Sequence, residues 1–215
     1  MPDPAFPYRL YLVLSEADCK RSNYLEVAEQ AIKGGVDIIQ LREKDLDTER
    51  YTEKAMRLKE ITDKYGIPLI INDNLETAMN VAAFGIHVGN KDISPTEIRK
   101  AWKGCQSLGY SIEFLEQLQS TEAQAADCLG ISPVFSTATK TDTVTEWGLE
   151  GIRKIRSLTS KPLIAIGNMN QENAEAVLKA GADCLAVVSA ICSADNPEKA
   201  AYELKNTLLK SLWNQ

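Results

Sequence analysis

The side chains with the most chemical reach in this sequence fall at the ends of short apolar runs. Gln40-Leu-Arg-Glu-Lys44 continues the run that begins Asp37-Ile-Ile. Side chains alternate along an extended strand, so Gln40, Arg42 and Lys44 share one face, while Ile39, Leu41 and Glu43 share the other. Arginine can grip a phosphate with two parallel hydrogen bonds, and lysine meets it as a point charge. The plainer use of the pair is an ion pair closing the strand end, for instance Arg42 with Glu43 or Asp73. The residues alone leave the two uses level. Two further runs end in Asn72-Asp-Asn74 and in Gly89-Asn-Lys-Asp92. Asp73 and Asp92 could share a hard cation, since Mg²⁺ commonly takes one or two carboxylates together with substrate phosphates. Against that, Asp73 or Asn74 could cap a helix starting at Leu75. Ser94-Pro-Thr-Glu97 has the form of a capping box and is read as structural. The stretch from Ser132 to Asp142 is long, rich in hydroxyls and basic at Lys140, the pattern of a lid that carries Lys140 to a phosphate. Gly167-Asn168-Met169 and Val188-Ser189 follow two late runs, where backbone amides could cradle a second anion.

These residues need a scaffold that gathers strand ends. Eight short, nearly continuous apolar runs recur: 10–14, 37–41, 68–71, 85–88, 107–111, 128–132, 162–166 and 184–188. Continuous apolar runs suit parallel strands covered on both faces. Between them, 24–33, 48–64 and 171–180 carry apolar residues at helical spacing. Ile32-Lys-Gly-Gly-Val-Asp37 and Leu178-Lys-Ala-Gly-Ala-Asp183 pass from helix end to strand through a glycine suited to a left-handed cap. Ala83-Phe-Gly85 repeats the step, and Ala125-Ala-Asp127 does so without glycine. Eight strand–helix units of about 27 residues each predict a compact (β/α)₈ barrel, whose chemistry sits on the loops after the strands. An open doubly wound sheet is the weaker alternative, because no Gly-x-Gly-x-x-Gly follows the first run. No composition shift divides the chain. The prediction is a single α/β domain over 1–215, with 1–8 as an N-terminal extension and 197–215 as a C-terminal helix that packs or serves as a homo-oligomer contact.

Composition narrows the partners. Lys and Arg number 24 against 30 Asp and Glu, a net charge of −6, which argues against nucleic-acid binding through overall charge. The five cysteines have no Cys-x-x-Cys spacing and read as reduced, largely buried thiols. His87 is the only histidine, so no zinc site is expected; inside a strand it reads as core packing. No apolar run has the length of a membrane span, and the first residues lack the basic and apolar regions of a secretory signal. The expected location is the cytoplasm.

At this point the residues resemble a known family. Gln40-Leu-Arg-Glu-Lys44, Ile71-Asn-Asp73, Ile86-His-Val-Gly89 with Asp92, Pro133-Val-Phe-Ser-Thr-Ala-Thr-Lys140, Trp147-Gly-Leu149, Ala165-Ile-Gly167 and Ala186-Val-Val-Ser-Ala-Ile191 are similar, in order and spacing, to thiamine phosphate synthases. The likeness spans about Tyr11 to Ala200. It implies a TIM barrel, a transferase that couples two phosphorylated small molecules, hydroxymethylpyrimidine diphosphate and hydroxyethylthiazole phosphate, and Mg²⁺ as cofactor. By position, Gln40, Arg42, Lys44, Asn72, Ser111 and Lys140 would hold the pyrimidine diphosphate. Arg42, Lys44, Ser111 and Lys140 would form the catalytic set. Asp73 and Asp92 would hold Mg²⁺, and Thr137, Thr139, Gly167, Asn168, Val188 and Ser189 the thiazole phosphate. The implied chemistry ionises the pyrimidine with loss of diphosphate; the thiazole nitrogen then attacks. That sequence of events requires no general base, so a chain with one histidine and no triad is adequate. Each cationic contact to the departing polyanion would be worth about 3–4 kcal/mol.

Three positions depart from the family pattern. Asn168 stands where a second glycine is usual; asparagine tolerates left-handed geometry, but its side chain could crowd the phosphate or add a donor. Asn90 stands where glutamine is frequent, and the sequence suggests no consequence. Ser111-Ile-Glu113 stands where many members have Ser-x-His. Two rivals follow. A thiazole tautomerase would need the histidine that Glu113 replaces. A non-catalytic, thiazole-phosphate-binding or regulatory paralogue is favoured by Asn168 alone.

Overall fold

The computed structural model describes residues 6–136 and 145–213. Eight parallel strands close a barrel in chain order, with β1 hydrogen-bonded to both β2 and β8. They are β1 (Leu10–Leu14), β2 (Ile38–Leu41), β3 (Leu69–Asn72), β4 (Gly85–Val88), β5 (Ser107–Ile112), β6 (Cys128–Ile131), β7 (Leu163–Ile166) and β8 (Cys184–Val187). Helices α1 (Tyr24–Lys33), α2 (Thr48–Tyr65), α3 (Leu75–Asn80) and α4 (Pro95–Ala101) follow the first four strands. A 3₁₀ turn (Leu115–Gln119) and α5 (Thr121–Ala125) follow β5, and α6 (Gly148–Leu158), α7 (Ala174–Lys179), α8 (Ser189–Cys192) and α9 (Pro197–Trp213) complete the chain.

The alternation expected of the strands is what sorts the core. Ile39 and Leu41 pack in the layer between barrel and helices, whereas Tyr11, Val13, Ile38, Ile70, Cys128, Ile164, Cys184 and Ala186 fill the barrel interior. Phe6, just ahead of β1, joins that interior cluster and meets Tyr8 edge to face with ring centroids 5.0 Å apart. The residues before the first strand therefore close one end of the barrel, and the chemistry-bearing strand ends open at the other.

The aspartates that precede strands have a common task at the closed end. Asp37 accepts the Arg9 and Leu10 amides (2.9 and 2.8 Å), Asp127 the Leu108 amide (2.7 Å), and Asp183 the Leu163 amide (2.8 Å). Each ties its strand to the one before it, and each is paired with a cation: Lys205, Arg99 and Arg156 respectively. These charge-assisted bonds set the relative height of neighbouring strands and so fix which residues reach the open rim.

The glycine of Ala83-Phe-Gly85 is not a helix cap. The left-handed residue there is Ala82 (φ 47°). Gly85 begins β4, where a Cβ would lie 1.9 Å from the Ser107 carbonyl oxygen; close approach of two strands is what requires glycine. Helix 171–180 is also shorter than its spacing predicts. Asn170 Oδ1 accepts the Glu172 and Asn173 amides (2.9 and 3.2 Å), which holds those residues in a turn ahead of α7.

Candidate active site

At the open end, a cavity of about 310 Å³ is lined by Gln40, Arg42 and Lys44 from the end of β2, Asn72 and Asp73 from β3, Asp92 after β4, and Ser111 from β5. A smaller cavity beside it is lined by Gly167, Asn168, Val188 and Ser189, and the two share a wall made of Val13, Arg42, Ser132, Ile166 and Ala186. Residues that lie far apart in the chain thus meet around one continuous space. Thr137, Thr139 and Lys140 lie outside the described residues.

Each side chain is placed by its own strand end. The Tyr51 hydroxyl of α2 donates to Leu41 O (2.7 Å) and accepts from the Asn72 amide (3.3 Å), tying the rims of β2 and β3 together just where Arg42 and Asp73 begin. Gln40 is buried and donates to the Tyr11 hydroxyl (2.8 Å), on the cavity wall. Glu43, on the opposite face, accepts from Lys54 (3.0 Å). That pairing removes Glu43 as a partner for Arg42. Among the described residues neither Arg42 nor Lys44 forms an ion pair, and both line the cavity.

Asp73 and Asp92 sit together. Asn74, not Asp73, caps α3, accepting the Thr77 amide at 2.8 Å, which leaves Asp73 free of that duty. Asp73 adopts a left-handed conformation (φ 62°) that turns its carboxyl towards the Asp92 carboxyl. Asp92 Oδ2 also accepts the Gly89 amide (2.8 Å). Burial pushes the Asp73 pKa up to about 7, the contact with Asp92 and its charge push the same way, and Lys44 and Arg42 oppose. Two carboxylates forced into one partly buried site are held apart in charge only by a shared proton or a cation. This donor set fits Mg²⁺ that completes its coordination with water and substrate phosphate; no group of three or more His, Cys, Asp or Glu is assembled among the described residues.

In the smaller cavity the Asn168 backbone takes the geometry a glycine would (φ 54°), next to Gly167 (φ 113°). A Cβ on Gly167 would lie 2.7 Å from the Pro133 Cβ, so that position admits only glycine. The Asn168 carbonyl accepts Asn173 Nδ2 (2.8 Å), and Asn170 N donates to Asn173 Oδ1 (3.0 Å). A set of asparagine side chains thus holds the β7–α7 turn in place of a second glycine.

His87 corrects the expectation that it is core packing. Its ring lines the larger cavity, and Nε2 lies 3.0 Å from Ser111 Oγ. Room for the ring comes from Gly109 and Gly130, where a Cβ would stand 2.3 Å from His87 Nδ1 and 2.9 Å from Cε1. The signal was present as two glycines inside apolar strand runs, which mark close approach. Asn90 also gains an account: its Oδ1 accepts from the Tyr110 hydroxyl (2.5 Å) and from Gln117 Nε2, joining the β4 loop to β5 and the 3₁₀ turn.

A closed (β/α)₈ barrel with cations and paired carboxylates gathered at the open strand ends defines the class: a barrel enzyme with its candidate site on that rim. Residues 10–191 match the family model TMP-TENI, thiamine monophosphate synthase, and the chain belongs to that family. It is 42% identical over 200 residues to the thiamine-phosphate synthase of Albidiferax ferrireducens, covering 93% of this chain and 91% of that protein. With the thiamine-phosphate synthase of Clostridium beijerinckii it shares 39% identity over 207 residues, 96% of this chain and 99% of that one. The solved thiamine phosphate pyrophosphorylase of Pyrococcus furiosus superposes with a TM-score of 0.86 at 30% identity, covering 98% of this chain and all of that one. The chain is accordingly a transferase of thiamine biosynthesis. No helix among the described residues is long and apolar enough to cross a membrane.

Proposed function

We propose that this chain joins hydroxymethylpyrimidine diphosphate to hydroxyethylthiazole phosphate, with Mg²⁺, giving thiamine phosphate and diphosphate. The observation that carries the reading is the shared wall: Arg42 borders both cavities, with Asp73 and Asp92 on one side and the Gly167–Asn168 turn on the other. The larger cavity takes the pyrimidine diphosphate, its polyanion meeting Arg42, Lys44 and, by family position, Lys140. The smaller takes the phosphate end of the thiazole, against backbone amides of the β7 turn and of Val188–Ser189. Mg²⁺, when held by Asp73 and Asp92, supplies further positive charge to the leaving diphosphate.

The work of these residues is electrostatic. As the bond from the pyrimidine methylene to oxygen breaks, charge gathers on the diphosphate, and preorganised cations lower that barrier without having to move. Gln40, held by Tyr11, and Ser111, held by His87, are fixed polar groups on the same wall and orient the pyrimidine. The thiazole nitrogen is a neutral nucleophile and needs no proton removed before it attacks. The reading as a mere binder drew on Asn168; the left-handed φ of 54° at that residue supports a turn of glycine-like geometry there.

Incubation of the purified chain with both substrates and Mg²⁺ tests the proposal. It predicts equal amounts of thiamine phosphate and diphosphate, and neither when either substrate or Mg²⁺ is omitted. A chain that binds thiazole phosphate but releases no diphosphate from the complete mixture would be a binding paralogue instead.

A further inference from the structure

Two of the five cysteines meet at the open end, next to the smaller cavity. Cys19 lies in the loop after β1 and is partly exposed; Cys192 ends α8 and is buried, at 1% exposure. The Cys192 thiol is in side-chain hydrogen-bonding contact with the Cys19 thiol. Backbone and side-chain bonds fix the approach from both sides. Cys192 Sγ lies 3.7 Å from Val13 O, and the next residue, Ser193, donates from Oγ to Asp18 O (3.1 Å). Beyond them Arg21 pairs with Asp195. The loop after β1 is thus already docked along α8, and both thiols pack against the same apolar layer. The other three cysteines are buried elsewhere, and burial pushes their thiols up, to about 12 for Cys128; the contact with Cys19, with burial behind it, pushes the Cys192 thiol up as well.

We propose that Cys19 and Cys192 are a redox modification site, a thiol pair that a small-molecule disulfide converts reversibly into a bond stapling the β1 loop to α8. The partly exposed Cys19, as thiolate, attacks one sulfur of the small disulfide and expels the other half as thiolate. A mixed disulfide on Cys19 results. Cys192 attacks the Cys19 sulfur and expels the second half, its proton passing to the departing sulfur. The two protein thiols lose two electrons and two protons, and the small disulfide leaves as two thiols. A dithiol reductant runs the exchange backwards. A pair of this kind, one accessible thiol beside a resolving one, is the arrangement of redox sensors in reducing compartments.

The consequence falls on the smaller cavity. Asp18, next to Cys19, and Ser189, which opens the single turn that ends in Cys192, both line it. Drawing the loop and the turn together alters that wall, and on the reading given under Proposed function it alters the affinity for thiazole phosphate.

The test equilibrates the full chain with oxidised and reduced glutathione, quenches with an alkylating agent and maps the thiols by mass spectrometry. In oxidised buffer the expected product has lost the mass of two hydrogens and carries one crosslink, between Cys19 and Cys192; dithiothreitol reverses it. Cys192→Ala stops at a glutathione adduct on Cys19, and Cys19→Ser, at the more exposed site, forms no crosslink. Calorimetry on the two forms should give thiazole phosphate affinities that differ by about fivefold or more. A persistent glutathione adduct on wild-type Cys19, a crosslink to another cysteine, an unchanged mass, or identical affinities in the two forms would overturn the proposal. If the reduced chain binds no thiazole phosphate, the proposed function fails instead, and the thiol map alone decides the redox site.

Discussion

At the scale of the residue, Asp73 has the most to tell. Its carboxyl is raised from an ordinary 3.8 to about 7 by burial and by Asp92, so the folded chain binds that proton more tightly than the unfolded chain does. Stability therefore falls as pH climbs from about 4 towards 7, because ionising Asp73 costs more in the fold than outside it. In metal-free protein, Asp73→Asn should raise the melting temperature at pH 8 and leave it nearly unchanged at pH 4. Mg²⁺ should raise the melting temperature of the wild type at pH 8 but not that of the variant. Thermal scans at both pH values check this, and a variant no more stable than wild type at pH 8 would deny the buried repulsion. Much at this scale was legible from residue types alone. Gln40, Arg42, Lys44, Asp73, Asp92 and Ser111 line one cavity, as period-two alternation and strand-end position require. His87 left only an indirect trace, Gly109 and Gly130 inside two other strand runs, and it takes the closed barrel to bring them beside its ring.

At the scale of the element, the turn after β7 shows how a local rule can be met in an unexpected way. Asn168 adopts the left-handed conformation, and Asn170 and Asn173 clasp it. A β-branched residue pays far more for positive φ than asparagine does. Asn168→Val should raise KM for thiazole phosphate about tenfold or more, with KM for the pyrimidine diphosphate within about twofold. Steady-state kinetics with each substrate varied in turn measures the split, and an equal rise in both constants would place the effect outside the turn. The apolar runs located all eight strands to within a residue or so, since six of them are bounded by Asp, Gly or Pro. The start of α7 was misplaced because the Asn170 and Asn173 side chains compete with helical hydrogen bonds, which apolar spacing does not register.

At the scale of the whole molecule, barrel closure makes the site. The aspartates before β2, β6 and β8 set strand heights at the closed end, and the rim at the open end follows from them. Closure brings Arg42 and Lys44 on β2 to the same cavity as Asp73 and Asp92, on the loops after β3 and β4. The central claim is that this rim recruits diphosphate and Mg²⁺ jointly. Calorimetric titration of inorganic diphosphate, with and without Mg²⁺, into the wild type and Asp92→Asn tests it most directly. The account predicts binding that tightens about tenfold or more when Mg²⁺ is present, and loss of that gain in the variant. Diphosphate affinity indifferent to Mg²⁺, or an undiminished gain in Asp92→Asn, would contradict it.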